Sequence, residues 1–272
     1  MPAGTTAVRR PARRIDLRLC IALAAVSMLS FIAAAARAED AVATIERVKK
    51  SVVALGTYER TRSPAFQFRS TAFAVGDGSL IATNAHALPL TLDGEHRETL
   101  AIAIPGPGRE PEIREARQVA IDTDTDLALL RIGGQHLPPL KFGDFGSVRE
   151  GQSILITGFP IGAVLGIFPV THRGMISAIT PIVIPPPTAA QLNAKVYRRL
   201  TTGAIPVFQL DATAYPGNSG SPIYDPETGE VLGIVNMVFV KGTKEAALTQ
   251  PSGITYAIPV DHLQALLARP HG

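Results

Sequence analysis

The sequence predicts an all-β fold, and three observations carry that expectation. Short apolar runs of strand length recur from Ser51 to Pro259, most of them rich in Val, Ile, Leu, Phe or Thr. Clusters of turn-forming residues separate the runs. No long helical pattern lies between them, and strands without crossover helices pair antiparallel, as a barrel or a sandwich. With 46% hydrophobic residues, the 272-residue chain has enough apolar side chain to bury a core.

Taken in order, the first element is an export signal over residues 1–38. Arg9, Arg10, Arg13, Arg14 and Arg18 precede or open the apolar run Leu19–Ala36, and Ala36-Arg37-Ala38 forms an A-x-A cleavage pattern ahead of Glu39-Asp40. Cleavage after Ala38 gives an exported protein, periplasmic or secreted, with no stable membrane association. An uncleaved anchor is the alternative, because the run approaches the length that spans a bilayer. Arg13-Arg14 leaves Sec or twin-arginine export open. Removing the six arginines and one acid of residues 1–38 turns the net charge of +3 into a balance of 20 basic and 22 acidic residues. No basic stripe for nucleic acid remains. The one cysteine, Cys20, lies inside the signal. The mature chain therefore has no disulfide, no thiol nucleophile and no zinc–thiolate site. No cofactor and no metal are expected.

After the signal, Ala41–Lys50 has the spacing of a short helix. The strand candidates follow: Ser51–Thr57, Thr71–Val75, Leu80–Thr83, Thr99–Ile104, Gln118–Ile121, Leu127–Ile132, Ser153–Thr157, Gly174–Ile179, Val207–Leu210, Val231–Val240 and Thr255–Pro259. The polar stretch Asp144–Gly151 marks a sub-domain boundary. Pro181–Pro206, with Pro185-Pro186-Pro187, reads as an extended exposed loop that includes a short helix at Gln191–Leu200. Asp261–Leu267 closes the chain as a helix capped by Asp261.

Three residues stand out chemically. His86, in Thr83-Asn84-Ala85-His86-Ala87, is placed at a strand end among small residues. The other five histidines, His96, His136, His172, His262 and His271, have nothing chemical beside them and read as structural or surface residues. Asp126 abuts the apolar run Leu127–Leu130, so its carboxylate needs a hydrogen-bonded partner. An imidazole Nδ1–H would serve, and the pairing would leave Nε2 free as a base. Ser219 lies in Pro216-Gly217-Asn218-Ser219-Gly220-Ser221-Pro222. Glycine there lets the N–H groups of Gly217 and Ser219 turn toward an oxyanion. The chain order His, Asp, Ser is one of the known triad orders. The G-x-S-x-G elbow of an α/β-hydrolase is not matched, which argues against an esterase.

These residues resemble a trypsin-like serine protease of the chymotrypsin fold, closest to the HtrA/Deg branch. The matching segments are Ile45–Leu55, Ile81–His86, Asp124–Ile132, Leu137–Asp144, Gly158–Gly162, Gln209–Pro222 and Tyr256–Pro259, in family order. The resemblance implies two antiparallel β-barrels of the chymotrypsin-like double-barrel fold, with a short N-terminal helix and a C-terminal helix. The division it implies is 1–38 signal, 39–144 the barrel carrying His86 and Asp126, and 145–272 the barrel carrying Ser219 and the closing helix. It also implies His86 as general base, Asp126 as its orienting partner, Ser219 as nucleophile, and the N–H groups of Gly217 and Ser219 as oxyanion donors. The expected activity is an exported serine endopeptidase acting on proteins or peptides through an acyl-enzyme. A catalytically idle binding or scaffold module is the alternative.

The sequence departs from the family pattern in three places. No PDZ domain follows Tyr256–Pro259, Ser221 stands where G-N-S-G-G-P has glycine, and Pro181–Pro206 is proline-rich. Asn218 carries no charge to pair with a freed N-terminus, so no zymogen-type activation is expected. The resemblance places Thr213, Asn236, Met237, Val238, Ile254 and Thr255 around the primary specificity pocket. None is charged, which favours small or medium apolar side chains before the cleaved bond. Oligomeric state is open.

Overall fold

The computed structural model describes residues 41–106, 108, 110–162, 166–182, 205–213, 215–236 and 254–270. The expected signal, the expected helix Gln191–Leu200 and the end of the expected strand Val231–Val240 fall outside them. The chain divides into Met1–Val42 and the larger compact unit Ala43–Gly272, which holds both barrels and the candidate site.

Two closed antiparallel barrels make up this unit. The first has the order β1 (Val52–Tyr58), β2 (Phe66–Val75), β3 (Leu80–Asn84), β6 (Leu127–Ile132), β5 (Glu112–Asp122), β4 (Thr99–Ile104). The second has the order β10 (Pro222–Tyr224), β11 (Val231–Asn236), β12 (Ile254–Pro259), β9 (Ile205–Asp211), β8 (Val170–Ile182), β7 (Ser153–Gly158). A helix α1 at 41–49 precedes the first barrel, and α2 (Val260–Leu267) follows the second. The double barrel expected from the resemblance is the fold observed.

The strands read as continuous apolar runs because both of their faces are buried. On β1, Val53 and Leu55 turn into the first barrel beside Ala72, Ile81 and Ile102. Val52 and Ala54 turn the other way, onto a second layer with Phe73, Leu127 and Leu129. That layer also takes Leu155, Tyr224 and Ile234 from the second barrel, and Val260, Leu263 and Leu266 from α2. Each fully buried side chain of this size contributes about 1.5–3 kcal/mol. The layer therefore fixes one barrel on the other, and α2 locks both. Ile154, Ile156, Phe208 and Val235 fill the second barrel.

The strand expectations fail where charge hides the pattern. β5 runs for 11 residues rather than the four of Gln118–Ile121. Its first half, Glu112–Arg117, carries four charged residues and is partly exposed, so apolar content does not reveal it. β2 and β8 likewise extend beyond Thr71–Val75 and Gly174–Ile179. β10 was not anticipated. It has only three residues and directly follows the Ser219 turn, where Pro222 reads as a breaker.

Candidate active site

Register brings the first two candidate residues together. β3 pairs antiparallel with β6 so that Asn84 lies opposite Leu127. His86 sits two residues past the end of β3, in a single 3-10 turn, Ala85–Ala87. Asp126 sits one residue before β6. Its backbone is left-handed, with φ of 55°, a conformation that aspartate tolerates better than most residues. The Asp126 carbonyl accepts from Ala85 N at 3.0 Å and from Asn84 Nδ2 at 3.2 Å, which ties the two turns to one another.

The side chains then meet directly. His86 Nδ1 lies 2.6 Å from Asp126 Oδ2, and the His86 backbone N–H donates to Asp126 Oδ1 at 2.8 Å. A carboxylate can only accept, so Nδ1 carries the proton and Nε2, on the far edge of the ring, carries the lone pair. Asp126 is 7% exposed, yet it is well compensated. Asn236 Nδ2 donates to its Oδ2 at 2.7 Å, so the carboxylate accepts three N–H groups.

The third candidate arrives from the second barrel. Ser219 is buried in the turn between β9 and β10, and its carbonyl is anchored on β2. Ser70 Oγ donates to it at 2.5 Å and Thr71 N at 3.0 Å. Thr71 Oγ1 donates to the Gly217 carbonyl at 2.7 Å and accepts from Phe159 N at 3.0 Å. Thr83, three residues before His86, donates from Oγ1 to the Thr71 carbonyl at 2.9 Å. The Ser219 turn thus lies on the β2–β3 hairpin that leads to His86. Among the described residues, no hydrogen bond joins Ser219 Oγ to His86 Nε2.

Glycine is required on both sides of Ser219. Gly217 has φ of +103°, and a Cβ there would meet the Phe159 carbonyl at 2.4 Å. Gly220 has φ of +81°, and a Cβ there would meet the Thr71 carbonyl at 2.1 Å. The peptide entering Gly217 is also oriented, because the Pro216 carbonyl accepts from Ile161 N at 2.8 Å. In a planar trans peptide the N–H points opposite to the C=O. The Gly217 N–H is therefore turned away from Ile161. Among the described residues, neither it nor the Ser219 N–H is donated to another group. Two unspent amides beside a serine can hold a developing oxyanion.

The expected specificity residues are more dispersed. Asn236, expected at the pocket, is fully buried with its amide on Asp126. Thr255 is buried too, and its hydroxyl donates to the Ala212 carbonyl at 2.7 Å. Thr213 is half-buried. Met237, Val238 and the side chain of Ile254 lie outside the described residues. Sequence reasoning missed three supports. Asn236 carried a signal, since a polar residue ending an apolar strand needs a partner. Thr71 opened an apolar run in the same way. Ile161, acting through its backbone, carried none.

The remaining histidines have other settings. His96 pairs with Asp93 on the surface at 2.8 Å, and that hydrogen bond raises its pKa. His136 Nδ1 donates to the Asp77 carbonyl at 3.0 Å at the surface. His172 on β8 is half-buried, and burial pushes its pKa below the ordinary value.

Comparison with known proteins bears on the family and the fold. Residues 70–234 match the family described as the trypsin-like peptidase domain. The "Probable periplasmic serine endoprotease DegP-like" of Halomonas elongata is 30% identical over 189 residues, covering 70% of this chain and 32% of that protein. Its namesake in Pseudomonas putida strain F1 is 26% identical over 203 residues, covering 75% and 36%. The chain thus spans about a third of the length of these curated relatives. Among solved structures, "HtrA-type protease AlgW with tripeptide" is 25% identical with a TM-score of 0.57, covering 84% of this chain and 62% of that one. A second structure of an HtrA-type protease, 24% identical with a TM-score of 0.58, shows the same fold.

Proposed function

We infer the function of this chain from its family: it belongs to the trypsin-like peptidases. We propose that it is an exported serine endopeptidase in which Ser219 is the nucleophile, His86 the general base and Asp126 its orienting partner. One observation carries this reading: the short His86 Nδ1–Asp126 Oδ2 contact, 2.6 Å, which reserves Nε2 for a proton.

Each step follows from a named group. Ser219 Oγ attacks the substrate carbonyl carbon while Nε2 of His86 takes its proton. Asp126 stabilises the resulting imidazolium, and Asn236 and the His86 N–H hold that carboxylate in place. The substrate oxygen, now an oxyanion, accepts from the N–H groups of Gly217 and Ser219. His86 returns its proton to the leaving amine as the C–N bond breaks, giving an acyl-enzyme. Water then attacks with the same base, and Ser219 recovers its proton.

The pocket reading is narrower. Asn236 Nδ2 donates to Asp126 and the Thr255 hydroxyl to Ala212, both residues are buried, and neither carries a charge. That supports a preference for small or medium apolar residues before the cleaved bond. Export rests on residues 1–38, with cleavage after Ala38, and the relatives whose names say periplasmic are consistent with it. Substrates are proteins or peptides.

Because no hydrogen bond joins Ser219 Oγ to His86 Nε2 among the described residues, a second reading is an idle binding module. A fluorophosphonate probe decides between them. The wild-type protein should form an adduct that is lost in Ser219→Ala. A folded wild-type protein that forms none would support the module.

A further inference from the structure

We infer that Arg69 gives the site a preference for a carboxylate on the leaving side of the cleaved bond. The inference rests on the peptidase reading above and deepens it. Arg69 is exposed in the first half of β2, immediately before Ser70, whose hydroxyl anchors the Ser219 carbonyl. Its Nε donates to the Ala87 carbonyl at 2.9 Å. Ala87 is the next residue after His86 and the last of the 3-10 turn. The arginine is thus pinned by one edge of its guanidinium beside the proposed base. Among the described residues, its two Nη groups have no hydrogen bond and no ion pair.

The mechanism fixes which part of a substrate meets this cation. His86 hands its proton to the leaving amine, so the chain after the cleaved bond departs past the imidazole. The other side of the imidazole is taken up by Asp126, which is held in turn by Asn236 at the end of β11. The leaving segment therefore passes the 3-10 turn and the first half of β2, where Arg69 stands. A guanidinium with two free amino groups matches a carboxylate in planar, two-point fashion. Its Nε–H···O=C bond to Ala87 already restricts the side chain, which lowers the ordering cost of that contact.

Quenched peptides sharing one sequence up to the cleaved bond test this. Asp, Ala or Lys is placed at either of the first two positions after the bond, with the chain end amidated. A further peptide carries Ala and ends two residues after the bond in a free carboxylate. The wild-type protein should prefer Asp, the free chain end, or both over neutral Ala by about 5-fold in kcat/KM, with Lys poorest. Which peptide shows the preference identifies the carboxylate as side chain or chain end. The ratio should fall toward one in R69Q, survive in part in R69K, and shrink as salt rises. Equal cleavage of all peptides by the wild type would overturn the inference. So would an R69Q variant that slows every peptide by one common factor, since that marks support of the His86 turn alone. If no peptide is cleaved and no fluorophosphonate adduct forms, the peptidase reading falls and this inference with it.

Discussion

The proposed base and the proposed nucleophile are held in opposite ways. Asp126 satisfies His86 through side chains, and every link but Asn236 is local to the β3–β6 pair. The Ser219 turn is held mainly through its main-chain carbonyls, and the donors come from elsewhere: Ser70 and Thr71 on the first barrel, Ile161 on the loop after β7. Its own buried side chains fare worse. Asn218 is 1% exposed and Ser221 fully buried, and among the described residues neither side chain has a hydrogen-bond partner. Leaving such a group unpaired costs about 1–3 kcal/mol. The base is thus built by register, and the nucleophile by docking one barrel on the other. Damage should therefore look different in the two halves.

The largest effect should come from the base. Asp126→Asn keeps the shape but offers the wrong tautomer, and kcat should fall about 10⁴-fold with the fold retained, as circular dichroism would show. The docking half should respond less steeply. Thr71→Val removes the donor to the Gly217 carbonyl and the acceptor for Phe159 N. A loss of about 10- to 100-fold in kcat, with KM little changed, is expected from steady-state kinetics. A loss confined to KM would mean that Thr71 does not set the oxyanion amides.

Asn218→Asp sharpens the contrast through stability. A carboxylate at this buried position has no cationic partner among the described residues, so burial raises its pKa. A raised carboxylate pKa means that the folded state binds a proton more readily than the unfolded one. The variant should be less stable than wild type at neutral pH and recover as the pH falls. Thermal melts across pH would show it, and a constant deficit would contradict the burial.

The smallest expected effects separate the barrels in acid. Burial lowers the pKa of His172 in the second barrel from its ordinary 6.5. Below that ordinary value the unfolded chain takes up a proton that the folded one resists, so stability drops as the pH falls toward the depressed pKa. In the first barrel, hydrogen bonds from Thr57 and Arg62 hold Glu98 at about 2. Its contribution is present above the ordinary value of 4.5 and is lost progressively as the pH falls from there toward about 2. The melting temperature should respond to mild acid in wild type and less so in His172→Gln. Glu98→Gln should flatten only the strongly acid limb.

The same contrast explains what the sequence could and could not tell. His86 and Asp126 were legible because each borders an apolar strand, and strand ends pair by register. The Ser219 turn was legible because its glycines are irreplaceable, as the positive φ values at Gly217 and Gly220 bear out. The double barrel came from the family resemblance, since periodicity alone left a barrel or a sandwich. What stayed hidden was the docking. No local pattern says that Ser70 and Thr71 will meet a carbonyl about 149 residues away, or that Ile161 will turn a peptide through its backbone. The resemblance places Asn236 at the pocket, and nothing in the sequence says that its amide donates to Asp126.

The central claim is that one hydroxyl and one imidazole, delivered by different barrels, act as a unit. The most direct test is kcat/KM for Ser219→Ala, His86→Ala and the double variant on a single peptide. Residues that act together lose their effect together, so the double variant should be no slower than the worse single one. Losses that multiply, or substantial activity left in either single variant, would contradict the account.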